Sequence, residues 1–377
     1  MNAARTYLDA NATAPLRPVA RNAVLAAMEQ LGNPSSVHTE GRTARRIIED
    51  ARERVAALAG ARPSEVVFTS GATEANNAAI AGGWDAIITS GIEHDAVLAP
   101  ARARGAHLVE VPAGGDGVVD AGAVATALLS DPIVRGRVLV SVQMANNETG
   151  VVQPVAEIAD FARAHGALVH TDAVQAAGRV PLSFADLGVD LMALSAHKIG
   201  GPFGVGALVV RDGFDLKRWI VGGGQERRRR AGTENVAAIA GFGAAAEAAR
   251  NELAAMRRIA DLRDRLEAGV RASTPDAVII AQGSLRLPNT SAVAWPGQSA
   301  ETLVIKLDLA GIAVSAGSAC SSGKVGSSHV LQAMGLAPEI ARSAIRVSLG
   351  WQSSEADIEA FLQAWRALAS SQSRAVA

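Results

Sequence analysis

Cysteine is nearly absent from this chain. Cys320 is the single thiol in 377 residues, so no disulfide can form within the chain, a reducing compartment is natural, and only one residue offers itself as a thiol nucleophile. Excess charge of either sign is missing too: the formal net charge is -1, which argues against wholesale binding of nucleic acid or of an acidic membrane. No apolar run approaches the roughly 20 residues needed to span a bilayer. The amino terminus has none of the basic, apolar and small-residue succession of a signal peptide. Internal repeats and low-complexity linkers are lacking, and only the tail after Ala369 looks disposable. A cytoplasmic protein with no membrane or nucleic-acid partner is the expectation.

What is present is an α/β pattern. At 49% hydrophobic and 19% charged residues, the chain is long enough for two domains with substantial cores. From about residue 15 to residue 250, β-rich runs alternate with helical ones. The helical kind is plain from Ser35 to Gly60, where Ile47, Ile48, Ala51, Val55 and Leu58 recur on one face and Gly60 ends the pattern. Val66 to Thr69, Ala86 to Thr89, Val138 to Val142, Ala167 to Thr171, Leu191 to Ser195 and Ala207 to Val210 read as buried strands. Such runs separated by helices predict a mostly parallel sheet covered on both faces, with ligands beyond the strand ends. A long helical stretch from Glu234 to about Ala272 leads into a second, smaller α/β unit, with strands expected at Val278 to Ala281, Ser291 to Trp295, Ile312 to Ser315 and Ile345 to Leu349.

Three strand ends carry chemistry. Lys198 stands where an apolar run breaks into His197-Lys198-Ile199-Gly200-Gly201, and partial desolvation there would favour the neutral amine that condenses with an aldehyde. Upstream, Ala167 to Thr171 ends on Asp172, a carboxylate able to hold a pyridine nitrogen protonated. On spacing alone Asp172 could equally cap the next segment. The third end, Thr69-Ser70-Gly71-Ala72-Thr73, reads as strand, turn and helix start, a cradle for phosphate; an ordinary cap by Ser70 or Thr73 is the alternative. Ser195 and His197 could add donors to the same anion. Cys320 lies among glycine, serine and alanine, the makings of an exposed loop. Arg227 to Arg230 lack any aromatic stacking neighbour, so a nucleic-acid patch is a poor reading.

Seven ordered motifs carry a resemblance. They are Tyr7-Leu8-Asp9-Ala10-Asn11-Ala12-Thr13, Gly32 to His38, Ser70-Gly71-Ala72-Thr73-Glu74, Asn146-Asn147-Glu148-Thr149-Gly150, Ser195-Ala196-His197-Lys198, Arg230 to Asn235, and Ser315 to Ser322. Through them the chain resembles, nearly end to end, cysteine desulfurases of the NifS/IscS type, within the class V aminotransferase-like, fold type I pyridoxal phosphate enzymes. The resemblance implies a large cofactor-binding domain over 14–250 with a mostly parallel seven-stranded sheet. It implies a small domain formed by 1–13 and 251–377 that carries the Cys320 loop and Arg346.

The resemblance also implies roles. Lys198 would hold the aldehyde of pyridoxal 5'-phosphate and shuttle a proton at the substrate α-carbon. Asp172 would keep the ring nitrogen protonated, Gln175 would bond the ring hydroxyl oxygen, and His94 would stack on the ring and move protons. Ala72, Thr73, Ser195, His197 and, across a homodimer interface, Thr233 would bind the phosphate. Arg346 and Asn147 would hold the carboxylate of L-cysteine; an internal salt bridge is the structural alternative for Arg346. Cys320 would take the sulfur as a persulfide, leaving alanine, and pass it to an acceptor such as an iron–sulfur scaffold. No metal is expected at the catalytic site, with Cys320 able to contact a transient iron–sulfur cluster. The segment after Cys320 has the length of the long-loop group, whereas the chain stops soon after Trp365, where a scaffold-docking extension would follow. The rivals are selenocysteine lyase or another class V activity, and a catalytically silent sulfur-carrier or assembly subunit.

Overall fold

Short apolar runs without a polar face need cover on both sides, and the structure gives it to them. This is a computed structural model describing residues 5–130, 134–317 and 328–376. Within those residues the strands are β1 (Thr6–Tyr7), β2 (Val66–Thr69), β3 (Ala86–Ser90), β4 (His107–Val111), β5 (Val138–Ser141), β6 (Leu168–Asp172), β7 (Leu191–Ser195), β8 (Gly206–Val210), β9 (Val278–Ile279), β10 (Thr290–Ala294), β11 (Ile312–Ala313), β12 (Ser315–Ala316) and β13 (Ala344–Ser348). Seven of them form one sheet in the order β2-β8-β7-β6-β5-β3-β4. Only β8 runs antiparallel to its neighbours; the remaining pairs are parallel.

Alternate side chains of these strands enter different cores. Ile88, Val140, Met192, Leu194 and Val209 join one cluster, while Ile87, Leu139, Leu191, Ala193 and Leu208 join another on the opposite face, as the two-residue strand period requires. The expected seven-stranded, mostly parallel sheet is therefore present. Its edge strand β4 was not anticipated, because three of its five residues are only half-buried, Glu110 is exposed, and two of the five, His107 and Glu110, are polar.

A four-stranded antiparallel sheet, β12-β13-β10-β9, and the parallel pair β1-β11 form a second layer. Leu8, Leu266, Val293, Ile345, Phe361 and Trp365 share its core. The run expected as one strand over Ile312 to Ser315 divides: β11 pairs with β1, and β12 with β13. The strand expected to reach Ala281 stops at Ile279, since Ala281 turns into the left-handed region at φ 53°. The helical stretch after Glu234 is two helices, Val236–Asn251 and Met256–Ser273, with a 3₁₀ turn between. It breaks at Glu252, whose carboxylate receives buried Arg17 Nη1 at 2.6 Å. The first predicted helix runs over Thr39–Ala59; His38 caps it through its ring Nδ1, and Gly60 closes it at φ 62°.

Candidate active site

Strands β2, β6 and β7 point the same way, so their carboxyl ends lie along one edge of the sheet. There they enclose a cavity of about 390 Å³. Ala72, Thr73, His94, Asn147, Asp172, Gln175, Ser195, His197 and Lys198 all line it. Residues far apart in sequence thus meet because each follows a strand of the same direction.

Lys198 ends a 3₁₀ turn directly after β7. Its Nζ donates to the carbonyl oxygens of Asn11 at 2.6 Å and Ala12 at 3.0 Å. Asp172, 8% exposed, accepts from Asn76 Nδ2 at 2.7 Å on one oxygen and from Val174 N at 3.0 Å on the other. The second bond closes an Asx-type turn and not a helix cap, since no helix follows β6 before Phe184; the first is a tertiary contact. The helix Ala72–Ile80 begins at Gly71 with no side-chain cap, so neither Ser70 nor Thr73 caps it. A Cβ added at Gly71 would meet nothing within 4 Å. Uncapped N–H groups at a helix start, with open space before them, are what an anion needs.

His94 caps the helix Asp95–Ala103 through its Nδ1, at 3.0 Å from Ala96 N, while lining the cavity. His197 Nδ1 lies 3.0 Å from Thr13 Oγ1, and its ring is tilted against Phe203 at 5.5 Å. Burial, with Lys198 beside it, lowers the His197 pKa to about 4, so its ring is neutral at physiological pH. Gln175 Nε2 donates to Asn11 O at 3.1 Å.

Arg346 does not line the cavity. It is 2% exposed and donates to Asn147 O at 3.1 Å and to Asp9 Oδ1 at 2.8 Å. The internal salt bridge is thus present, and the guanidinium sits directly behind Asn147. Arg346 Nε has no partner. Thr233 is exposed and stands apart from the residues lining the cavity of its own chain. Cys320 lies outside the described residues.

Several site residues went unassigned in the sequence reading. Asn11 links both sheets: its Nδ2 donates to Asn147 O and Thr290 Oγ1, and its Oδ1 receives Asn289 Nδ2. Asn76 lies on the same helix as Thr73, and its Oδ1 is buried without a partner. Glu74 sits in the first turn of that helix, where a free carboxylate would oppose an anion. Burial works to raise its pKa, yet bonds from Arg230, Ser70 and Trp219 hold it down to about 2. Next to His94, burial pushes the Glu93 carboxyl up to about 8. A spacing of three residues between Thr73 and Asn76 was the one signal in the sequence that could have flagged Asn76.

Fold and site together define the class: the chain belongs to the aminotransferase class-V family, whose model matches residues 6–361. Among its relatives, the chain is 45% identical over 371 residues to a cysteine desulfurase of Cereibacter sphaeroides, covering 95% of this chain and 94% of that one. It is 42% identical to an IscS-like cysteine desulfurase of Mycobacterium tuberculosis, covering 95% and 94%. The X-ray structure of a NifS-like protein from Rickettsia africae superposes with a TM-score of 0.89 at 36% identity, over 97% of this chain and 99% of that one.

Proposed function

We propose that this protein is a cysteine desulfurase that uses pyridoxal 5'-phosphate to take sulfur from L-cysteine. The observation that carries the reading is the meeting, in one cavity, of the Lys198 amine, the Asp172 carboxylate and the uncapped start of the helix Ala72–Ile80. These residues fit the cofactor: the helix start suits a phosphate, the buried acid suits a pyridinium, and the amine suits an aldehyde. When bound, the cofactor draws electrons from the bonds of the substrate α-carbon.

The chain's own residues do the rest. Lys198 takes and returns the proton at the α-carbon, and His94 covers the ring and passes protons. Gln175 bonds the ring hydroxyl oxygen. Ala72, Thr73, Ser195 and His197 hold the phosphate, joined by Thr233 of a second copy in a homodimer; exposure of Thr233 in the single chain supports that part. Arg346 and Asn147 hold the substrate carboxylate. The Cys320 thiolate attacks the substrate sulfur, so the carbon–sulfur bond breaks, a sulfur–sulfur bond forms, and alanine leaves. The persulfide then goes to an acceptor protein such as an iron–sulfur scaffold in the cytoplasm. In this reading residues 14–250 form the cofactor domain, and 1–13 with 251–377 form the domain that brings Arg346 and Cys320.

The test is a single turnover with L-cysteine and no reductant, scoring alanine and the mass of the Cys320 peptide. Stoichiometric alanine with one added sulfur on Cys320 is the expected result. Pyruvate, or alanine without the persulfide, would replace this reading with a lyase or transaminase.

A further inference from the structure

Arg179 is a buried cation with no acid beside it. It is 8% exposed, and every acceptor it finds among the described residues is a neutral carbonyl oxygen. Its Nη1 donates to Gln175 O at 2.9 Å and to Gln175 Oε1, and its Nη2 to Ala10 O and Lys198 O, each at 3.4 Å. A buried guanidinium ordinarily keeps a carboxylate partner, as Arg52 does with Glu226 at 2.8 Å. Ion pairing does not account for Arg179.

Its contacts orient an amide. Gln175 lines the cavity and is 5% exposed. A glutamine amide carries an acceptor on one side and donors on the other, and either side can face a neighbour, whereas a guanidinium only donates. Beside Arg179 the amide must therefore present Oε1, which turns Nε2 the other way, to Asn11 O at 3.1 Å. That carbonyl also accepts Lys198 Nζ at 2.6 Å, so the amide nitrogen and the lysine amine converge on one oxygen. Burial, with Arg346 beside it, lowers the Arg179 pKa to about 9, which leaves it charged, and a donor only, at neutral pH. Through Lys198 O the same guanidinium ties the turn after β6 to the turn after β7.

We infer that Arg179 is a positioning residue: it fixes the polarity of the Gln175 amide, so that an N–H and not a carbonyl oxygen is offered to the hydroxyl oxygen of the cofactor ring. The inference rests on the pyridoxal phosphate reading, in which Gln175 bonds that oxygen. An N–H donor favours the ionised ring oxygen, and an amide oxygen disfavours it. Loss of Arg179 acts indirectly, by letting the amide turn round.

The experiment uses the cofactor-loaded full chain with Arg179→Met, Arg179→Lys, Gln175→Ala, and the double variant carrying Arg179→Met and Gln175→Ala. Two quantities are read: the cofactor dissociation constant, by absorbance titration, and the pH at which the absorbance of the bound cofactor changes. The charged and titratable groups lining the cavity, Lys198, Asp172, Glu74, His94 and His197, are common to all of them. Arg179→Met should weaken cofactor binding about tenfold, the worth of one hydrogen bond to a charged group. It should also move the absorbance midpoint upward by about one pH unit, since an oxygen that has lost its donor holds a proton more tightly. Gln175→Ala should do the same, and the double variant no more than Gln175→Ala alone, because Arg179 acts through that amide. Arg179→Lys keeps a cation that only donates and should restore most of both values. An unmoved midpoint in Arg179→Met, or effects that add in the double variant, would overturn the inference and leave Arg179 a packing residue. If Arg179→Met fails to fold, Arg179→Gln carries the decision: its amide can donate or accept, so Gln175 can turn, and the midpoint should rise or the inference fails. A wild type that takes up no cofactor would instead sink the cofactor reading, and the inference with it.

Discussion

Asn76 Nδ2 stands 2.7 Å from Asp172 Oδ2, and Asn76 is wholly buried. The bond joins the helix Ala72–Ile80 to Asp172; in the function proposed above, one helix would serve both the phosphate and the ring-nitrogen ends of the cofactor. Asn76→Ala leaves that carboxylate oxygen without its amide donor. The cofactor dissociation constant, read by absorbance titration, should rise about tenfold, the worth of one charge-assisted hydrogen bond. Asn76→Asp sets a second carboxylate against the first and should weaken binding further. Unchanged affinity in both would reduce Asn76 to packing.

Gly206 opens β8 behind the cradle. A Cβ there would come 2.6 Å from Leu194 O and 2.7 Å from Gly71 C, both backbone atoms that cannot swing aside. Gly206→Ala should therefore displace the Gly71 turn. Cofactor affinity should fall by more than about tenfold, since overpacking against fixed backbone costs about 1–3 kcal/mol. The control is Gly213→Ala, outside the cavity lining, where a Cβ meets nothing within 4 Å but φ is 79°. That variant should lower the thermal midpoint through backbone strain and move cofactor affinity less.

Most strands of the large sheet were legible because they are short, mainly apolar runs of four or five residues bounded by polar or glycine-rich chain, and Leu191 to Ser195 is matched end for end. β4 escaped because an edge strand carries a polar, half-buried pattern. Asp172 and Lys198 were legible as polar residues at the ends of apolar runs. Asn11 and Asn76 were not. Asn11 works through its backbone carbonyl on Lys198, 187 positions away, and Asn76 through Asp172, 96 positions away. No local pattern encodes either meeting; only the sheet order does. The ion pair of Arg346 with Asp9 was foreseen in kind, but its partner could not be chosen from the chain alone.

Glu93 gives a pH signature. It is fully buried, and its Oε1 accepts Ser90 Oγ at 2.8 Å and Gln143 N at 2.9 Å, while Oε2 has no partner. Burial raises its pKa from 4.5 to about 8, and Asp172 adds to the shift. The folded state therefore binds more protons than the unfolded state between those values. Stability from this group is full below about pH 4.5 and is lost as pH rises through 8. Glu93→Gln keeps the accepting oxygen and removes the titration. Urea unfolding should find the variant gaining on the wild type from pH 5 to pH 8, by more than about 1.4 kcal/mol, tenfold in the unfolding constant. A constant gap across that range would mean that Glu93 titrates normally.

Asp9 tests where Arg346 acts. The Arg346 guanidinium is buried, and its charge partner is Asp9 Oδ1 at 2.8 Å. Asp9→Asn removes that charge and leaves a buried cation undercompensated, an arrangement that costs about 3–5 kcal/mol when a buried pair is broken. The thermal midpoint should drop. If Arg346 also serves the substrate carboxylate, a bound carboxylate supplies the missing anion. L-Alanine, which carries the product's carboxylate and no sulfur, should then raise the midpoint of the variant more than that of the wild type, because a ligand that binds only the folded state stabilises it by an amount that grows with the logarithm of its affinity. The neutral amide of L-alanine separates this from a general effect of the amino acid, and it should rescue neither protein. Equal shifts with L-alanine in wild type and variant would leave Arg346 a purely internal ion-pair residue, with the carboxylate subsite to be sought around Asn147.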